Sequence, residues 1–384
     1  MGGIANHKHA TRNIMQKIEY MSNRSLELFE VNEGFMQIAK QLPSDMQREM
    51  LDKVITDLTN EIDPAQLFSN RLKTVCMSIG AMNKVVDRGD AYKMVKLAEV
   101  LQTHGIEMLG KHVADTPNIK AVLIAGPSSS GKTTFSKKLN KGLEKYGISA
   151  QCISLDDYYV DRELTPKDEN GEYDFESIYA INIDQFQSDI TDLLNGKEIE
   201  LPKYEFRLGK SIKSGKRISL SENTVLIIEG IHGLNPLLTQ RLPADRLFRI
   251  YISGLTVAKN DDGTYFPTTD NRLIRRMVRD SQFRNTPASS TLARWASVRH
   301  GENKWVVPFQ QNADANFCTA FQYELAILKR QALPLLEDVP QDDPYYLEAQ
   351  RLKWVLERFH DISADMLPKD SLLREFVGGS AFEY

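Results

Sequence analysis

The sequence predicts an α/β fold built on a parallel sheet, with a helical region before it and a helical extension after it. Two apolar runs carry the first half of that expectation. Ala121-Val122-Leu123-Ile124-Ala125 and Thr224-Val225-Leu226-Ile227-Ile228 are short and almost wholly apolar, as strands buried on both faces are. The second half comes from the residues directly after the first run: Gly126-Pro127-Ser128-Ser129-Ser130-Gly131-Lys132-Thr133, then Phe135, Leu139 and Leu143 four apart on one helical face. Gly, four residues, Gly-Lys-Thr is the phosphate-binding loop pattern. Strand, loop, helix is also the order that aims backbone N–H groups and a helix N-terminus at phosphate oxygens. The core is therefore expected to be a P-loop NTPase domain.

Residues 1–116 are expected to form a mainly helical domain. Ser44-Asp45-Met46 after Pro43 starts a helix whose Met46, Met50, Val54 and Leu58 share a face. Further stripes run through Leu67, Leu72, Val75, Ile79 and Met82, and through Met94, Leu97, Val100 and Leu101. The methionines among them (Met77, Met82, Met94, Met108) read as core, and His7 and His9 as surface. The turn Asp115-Thr116-Pro117-Asn118 opens a second segment, 117–340. Within it a strand at 150–155 ends on Asp156-Asp157-Tyr158-Tyr159, and a helix over 184–195 buries Phe186, Ile190, Leu193 and Leu194. Residues 199–206 and 218–220 flank a basic turn (Arg207, Lys210, Lys213, Lys216, Arg217) and read as a hairpin. The second core strand ends in Glu229, and 247–253 is another strand. From Asp270 a helix sets Arg272, Arg275, Arg276 and Arg279 on one face, a clamp suited to phosphate oxygens. Residues 294–310 read as a loop and 315–339 as a helix kinked at Pro334. The extension, 341–384, carries a helix over 345–359.

Composition narrows the class. The chain has 384 residues, 41% hydrophobic and 26% charged, with a net charge of −4, so it is an ordinary globular chain with no overall pull toward nucleic acid. Cys76, Cys152 and Cys318 are dispersed and without metal spacing, which reads as reduced core thiols and a cytoplasmic location. No apolar run approaches the roughly 18 residues of a membrane span. A homo-oligomer is admitted.

The loop pattern predicts a bound nucleoside triphosphate on Gly126, Ser128, Ser129, Ser130, Gly131, Lys132, Thr133 and Thr134. Lys132 would reach the outer phosphates and the Thr133 hydroxyl would take a place on Mg²⁺. Glu229 at a strand end suits the Walker-B role in the Mg²⁺ shell, and the carboxylates after the 150–155 strand lie where parallel sheets collect ligands. Asp168-Glu169-Asn170-Gly171 matches a GTPase motif by letters but sits in a polar loop. Glu229-Gly230 lacks the Asp-Glu pair of helicase-like ATPases. A small kinase remains, with an acid accepting the proton of an attacking hydroxyl.

Those residues resemble the uridine kinase and phosphoribulokinase family, and most of all the larger bacterial uridine kinase-like proteins. The likeness lies in Ser154-Leu155-Asp156-Asp157-Tyr158, in Ile227-Ile228-Glu229-Gly230-Ile231-His232-Gly233-Leu234 and in Arg374-Glu375-Phe376-Val377-Gly378-Gly379-Ser380, and spans roughly 118–384. It implies a nucleoside-kinase-like core using ATP and Mg²⁺, with Asp156 as catalytic base and at the metal, and Glu229 in the metal shell. It implies Glu176 on the ribose hydroxyls of a nucleoside or pentose acceptor, Tyr204 on the base with Tyr159 beside it, and Arg279 and Arg284 on the phosphates. Two positions depart from the family: Gly209 stands where a base-reading His is expected, and Thr286 where a second lid arginine is. Two other readings stand beside the nucleoside kinase: a sugar kinase of the phosphoribulokinase kind, and a regulatory nucleotide-binding protein on a kinase scaffold.

Overall fold

The computed structural model describes residues 77–383, apart from 170, 255–257, 264–265 and 268. The helix begun at Ser44, the stripe positions Leu67, Leu72 and Val75, His7, His9 and Cys76 lie outside the described residues. Two compact units divide the chain. One gathers the described residues up to Met108 with Gly254–Ala293 and those from Cys318 onward; the other joins Leu109–Ser253 to Arg294–Phe317. These compact units interleave along the chain.

The second unit is organised on a five-stranded sheet. Its strands are β2 (Ala121–Ala125), β3 (Ser149–Ser154), β6 (Thr224–Glu229), β7 (Leu247–Ser253) and β9 (Ala315–Cys318), in the order β3-β6-β2-β7-β9. β2 pairs in parallel with β6 and β7, and β3 in parallel with β6. Every residue of β2 is fully buried, which is why this strand is apolar throughout. Each of its Leu and Ile side chains contributes about 1.5–3 kcal/mol by leaving water. α3 (Lys132–Glu144) follows the loop and buries Phe135, Leu139 and Leu143, the face read from the sequence. α4 (Ile183–Leu194) buries Phe186, Ile190 and Leu193 in one core cluster with Ile153, Leu226, Ile228 and Leu238 of the short α5 (Pro236–Thr239). The hairpin is β4 (Ile199–Glu205) with β5 (Lys210–Ile218). Lys210, Lys213, Lys216 and Arg217 lie on β5 itself, so most of the expected basic turn is strand. Lys210 pairs there with Asp161 and Glu163, and Arg217 with Glu198.

Three expectations are corrected. The segment taken as a loop after Arg294 lies largely in α7 (Ala288–Trp305), a helix that no pattern announces because its apolar residues gather on no single face. Residues 315–318 are the strand β9, with alternating burial, and the helix taken to start at 315 begins at Glu324 as α8 (Glu324–Glu337), with Pro334 inside. Cys152 is exposed on β3, an outer strand of the sheet, and Cys318 is half-buried, so neither is a core thiol.

The first unit pairs β1 (Met77–Ser78) in parallel with β8 (Ala258–Lys259) and packs α1 (Ile79–Asp87), α2 (Ala91–Ala114, as far as Met108), α6 (Asp270–Arg284), α8 and α9 (Tyr346–Glu357). Met82 and Met94 are buried, as core methionines should be. Buried Glu99 accepts from the Tyr323 hydroxyl (2.9 Å) and from the Ser371 hydroxyl. The tail motif is structural here: Arg374 donates to the carbonyls of Leu367 (2.8 Å), Ala364 (3.0 Å) and Gly378 (3.3 Å). No described helix is long and apolar enough to cross a membrane.

Candidate active site

At the carboxyl end of β2 the chain turns so tightly that a Cβ on Gly126 would stand 2.1 Å from the Ile252 carbonyl oxygen; only glycine fits. Ser129 (φ 59°) and Gly131 (φ 85°) hold left-handed backbone inside the loop, a conformation that turns successive N–H groups into one anion-binding concavity. Buried packing around Ser129 holds a conformation that a non-glycine residue rarely takes. Lys132 opens α3, and its Nζ donates to the Gly126 (3.0 Å) and Pro127 (3.2 Å) carbonyls, which keeps the ammonium at the start of the loop. Ser130, Gly131 and Thr134 are buried, and Ser128 and Thr133 are half-buried, so of the two threonines Thr133 is the one open to a ligand.

The sheet register brings the acids to the same edge. Ser154 lies opposite Glu229, and Glu229 opposite Ile124, one residue before the end of β2. The Ser154 hydroxyl donates to Glu229 Oε1 (3.3 Å) and accepts the Asp156 N–H (3.3 Å) in the short 3-10 turn Leu155–Tyr158. Glu229 and Asp156 are therefore tied through one hydroxyl. The paired aspartates have separate fates. Asp156 is exposed, while Asp157 is half-buried and accepts the Tyr204 N–H (3.4 Å). Burial pushes the Asp157 carboxyl above its ordinary range, against the pull of that N–H, and the neighbouring Asp156 charge adds to the rise. Among the described residues no group of three or more His, Cys, Asp or Glu side chains could hold a metal unaided. The donor set suits Mg²⁺ all the same, because that ion commonly takes one or two carboxylates and completes its shell with water and phosphate oxygens.

Beyond Asp156 lies an aromatic cluster. The Tyr159 ring meets those of Tyr204 (5.5 Å), Phe175 (6.3 Å) and Phe206 (6.4 Å), and Tyr204 meets Phe206 at 5.0 Å, all edge-on. Burial, with the charges of Asp156 and Glu176 close by, raises the Tyr159 phenol well above its ordinary value. Its hydroxyl donates to the Phe175 carbonyl (3.1 Å). The Tyr204 hydroxyl is buried without a hydrogen-bond partner among the described residues. Such a group is costly unless something polar meets it, which suits a ligand-facing position. Asp156, Tyr159, Glu176 and Tyr204 thus lie close together. Phe175 and Phe206, both substantially exposed, were missed, because a lone Phe in a polar loop carries no local signal.

Gly209 has its own structural reason. It sits at φ 67°, and a Cβ there would stand 2.7 Å from the Arg162 guanidinium carbon. Arg162 donates Nη2 to the Phe206 carbonyl (2.6 Å) and its N–H to the Gly209 carbonyl (2.8 Å). The space beside a base-reading side chain at this position is filled by an arginine. Gly209→His is therefore expected to lower the melting temperature, with about 1–2 kcal/mol lost to the left-handed backbone alone. It should bring no gain in selectivity for uridine, and thermal melts with an acceptor comparison check both points.

Just after Glu229, His232 is fully buried, and neither ring nitrogen completes a hydrogen bond among the described residues; the backbone groups of Ser177 and Trp305 offset only part of the cost of charging it. Burial pushes its pKa down to about 3, and Lys132 adds to the fall. The unfolded chain takes up this proton near the ordinary value of 6.5 while the folded one refuses it, so stability falls as pH drops below about 6.5 toward 3. His232→Gln is expected to be less stable at pH 7 but to lose about one proton's worth of slope from melting temperature against pH.

In the first unit, α6 corrects the arginine clamp. Arg272 and Arg275 are fully buried. Arg275 forms a two-point pair with Glu324 (Nε to Oε1 2.6 Å, Nη2 to Oε2 2.7 Å) and donates to the Thr319 carbonyl (2.9 Å). Arg275 therefore joins α6 to α8, which brings it a carboxylate, and Arg272 is a buried residue of α6. Arg279 reaches Asp280 (2.7 Å), where Arg276 (3.3 Å) and Arg284 (3.4 Å) also converge.

Residues 121–325 match the model of the Phosphoribulokinase / Uridine kinase family. The chain belongs to that family. A uridine kinase of Staphylococcus aureus (strain JH9) is 30% identical over 193 residues, which span 50% of this chain and 83% of that protein. The same figures hold for the uridine kinase of strain Newman. Among solved structures, one titled as that of a possible uridine kinase from Bacillus stearothermophilus covers 55% of this chain and 96% of its own, with 19% identity and a TM-score of 0.37. Family membership makes the chain a kinase of the nucleoside or sugar class.

Proposed function

We propose that this protein transfers the γ-phosphate of ATP, with Mg²⁺, to a hydroxyl of a uridine- or cytidine-like nucleoside or a related pentose. The observation that carries this reading is the Ser154 bridge, which ties the exposed Asp156 to Glu229 beside the glycine-rich loop. In this reading Asp156 accepts the proton of the acceptor hydroxyl as its oxygen attacks the γ-phosphorus. The bond to the β–γ bridging oxygen then breaks, and ADP leaves. Mg²⁺, when bound, would neutralise phosphate charge; Thr133, Glu229 and Asp156 are the residues proposed to hold it. Loop N–H groups and Lys132 would orient the phosphates, and Glu176, Tyr159 and Tyr204 the acceptor. Arg279 and Arg284, gathered at Asp280 in the first unit, are proposed as phosphate ligands. The segment 117–340 is the part assigned to transfer, and the cytoplasm the proposed location.

A sugar acceptor is the second reading, favoured by Gly209 and the Arg162 side chain packed over it. A transfer assay from ATP·Mg to nucleosides, pentoses and pentose phosphates, with Lys132→Ala as blank, separates the readings. Transfer to uridine or cytidine is expected. Transfer to sugars alone would support the second reading, and nucleotide binding without any transfer would support a regulatory protein.

A further inference from the structure

The last turns of α7 meet the glycine-rich loop, all within the second unit. Glu302 is fully buried there: its Oε1 accepts the backbone N–H of Ser128 (3.0 Å) and its Oε2 accepts from Arg299 Nη1 (2.7 Å). Gly301 beside it packs so closely that a Cβ would stand 2.3 Å from Glu176 Cβ, which anchors this turn against the acceptor side as well. A buried carboxylate persists only where its charge is met, and a fixed guanidinium and an N–H dipole meet this one. Glu302 is thus a rigid bracket between the loop and Arg299.

The bracket sits at a particular end of the loop. Lys132 Nζ lies on the carbonyls of Gly126 and Pro127, the two residues just before Ser128, and the lysine of such a loop serves the outer phosphates. Across the Glu302 carboxylate, Arg299 Nη1 is no more than about 8 Å from the Ser128 nitrogen, so the guanidinium stands beside the loop with its other donors within reach of a phosphate seated there. Arg299 is 30% exposed and has a strong bond to Glu302 and a long contact to Asn303 Oδ1 (3.5 Å). A guanidinium carries five N–H donors in a planar fork, so donors remain for an anionic oxygen.

We propose that Arg299 contacts the terminal phosphate of the bound nucleoside triphosphate, with Glu302 as the positioning residue that holds it against the loop. This rests on the kinase reading of the loop and adds to it a residue that distinguishes triphosphate from diphosphate. The test is calorimetric binding of Mg·ADP and of a non-hydrolysable Mg·ATP analogue to the full chain. Arg299→Gln is expected to weaken the analogue about 10- to 100-fold, the loss of a charge-assisted hydrogen bond to phosphate, and ADP less than about threefold. Arg299→Lys should recover part of the loss, since it restores the charge without the fork. Glu302→Gln, which keeps an acceptor for Ser128 but frees the arginine, should shift the same ratio by less. Equal weakening of both nucleotides, or no change in either, would overturn the assignment. Lys132→Ala serves as the control: if it leaves both affinities intact, the loop itself holds no phosphate and the kinase reading falls with the proposal.

Discussion

Asp156→Asn is expected to bind ATP about as well as the parent chain, with Thr133 and Glu229 left to hold Mg²⁺, and to transfer phosphate about 10²- to 10⁴-fold more slowly, the range by which a positioned general base contributes. The substitution keeps the shape of the side chain, and the 3-10 turn that carries it is held by the Asp156 N–H on Ser154, a backbone contact the change does not touch. Asp156 is exposed, so the fold should melt at nearly the same temperature. Asp157→Asn is the informative comparison. That carboxylate is half-buried against the Tyr204 N–H, and burial already disfavours its charge. Its replacement should therefore leave turnover far less affected. Single-turnover transfer beside nucleotide titration separates the two positions. A near-normal rate for Asp156→Asn would remove the base assignment.

The largest effect on stability is expected at Glu324. Arg275 is buried completely and spends its charge on Glu324 at two points, while the Phe321 N–H donates to the same carboxylate (2.7 Å). The Arg275 guanidinium also lies over the Phe376 ring at 5.0 Å and leaves no room for a Cβ at Gly254, so it has nowhere to move. Glu324→Ala strands a buried guanidinium and an N–H group, which costs about 3–5 kcal/mol. On the order of 10 °C should be lost from the melting transition of this unit. Replacing the pair together, as Arg275→Met with Glu324→Leu, removes both charges and should recover much of the loss. If the single and double replacements melted alike, the ion pair would not be what holds α6 to α8.

Both predictions use residues whose types stand out in the sequence, yet only one of the two placements was legible there. Glu229 was legible as an edge group because a run apolar at nearly every position has to be a buried strand, and the first polar residue after it has to emerge at the sheet's end; Asp156 was legible only through the acidic pair that follows the 150–155 segment. Glycine loop, helix face and hairpin were legible for the same reason: each is written in residues adjacent along the chain, whose period or φ requirement is local. The arginine row on α6 was legible as a row, and its meaning was not. Helical spacing says which side chains share a face; it says nothing of what the rest of the chain brings to that face. Glu324 arrives from 49 residues away and turns Arg275 from a surface charge into core.

Tertiary structure alone decided the remaining roles, along the same division. It chose Asp156 over Asp157 as the exposed acid, by laying β4 against the second of them. It filled the place beside Gly209 with Arg162, 47 positions earlier in the chain. Through a carboxylate 174 residues away it also joined Ser128 of the loop to α7, a helix without a patterned face. The sequence by itself determined the sheet core, the loop and the two edge acids, because strand burial and turn geometry act between chain neighbours. Partners for buried charges are chosen by packing across the fold, and no local pattern announces them.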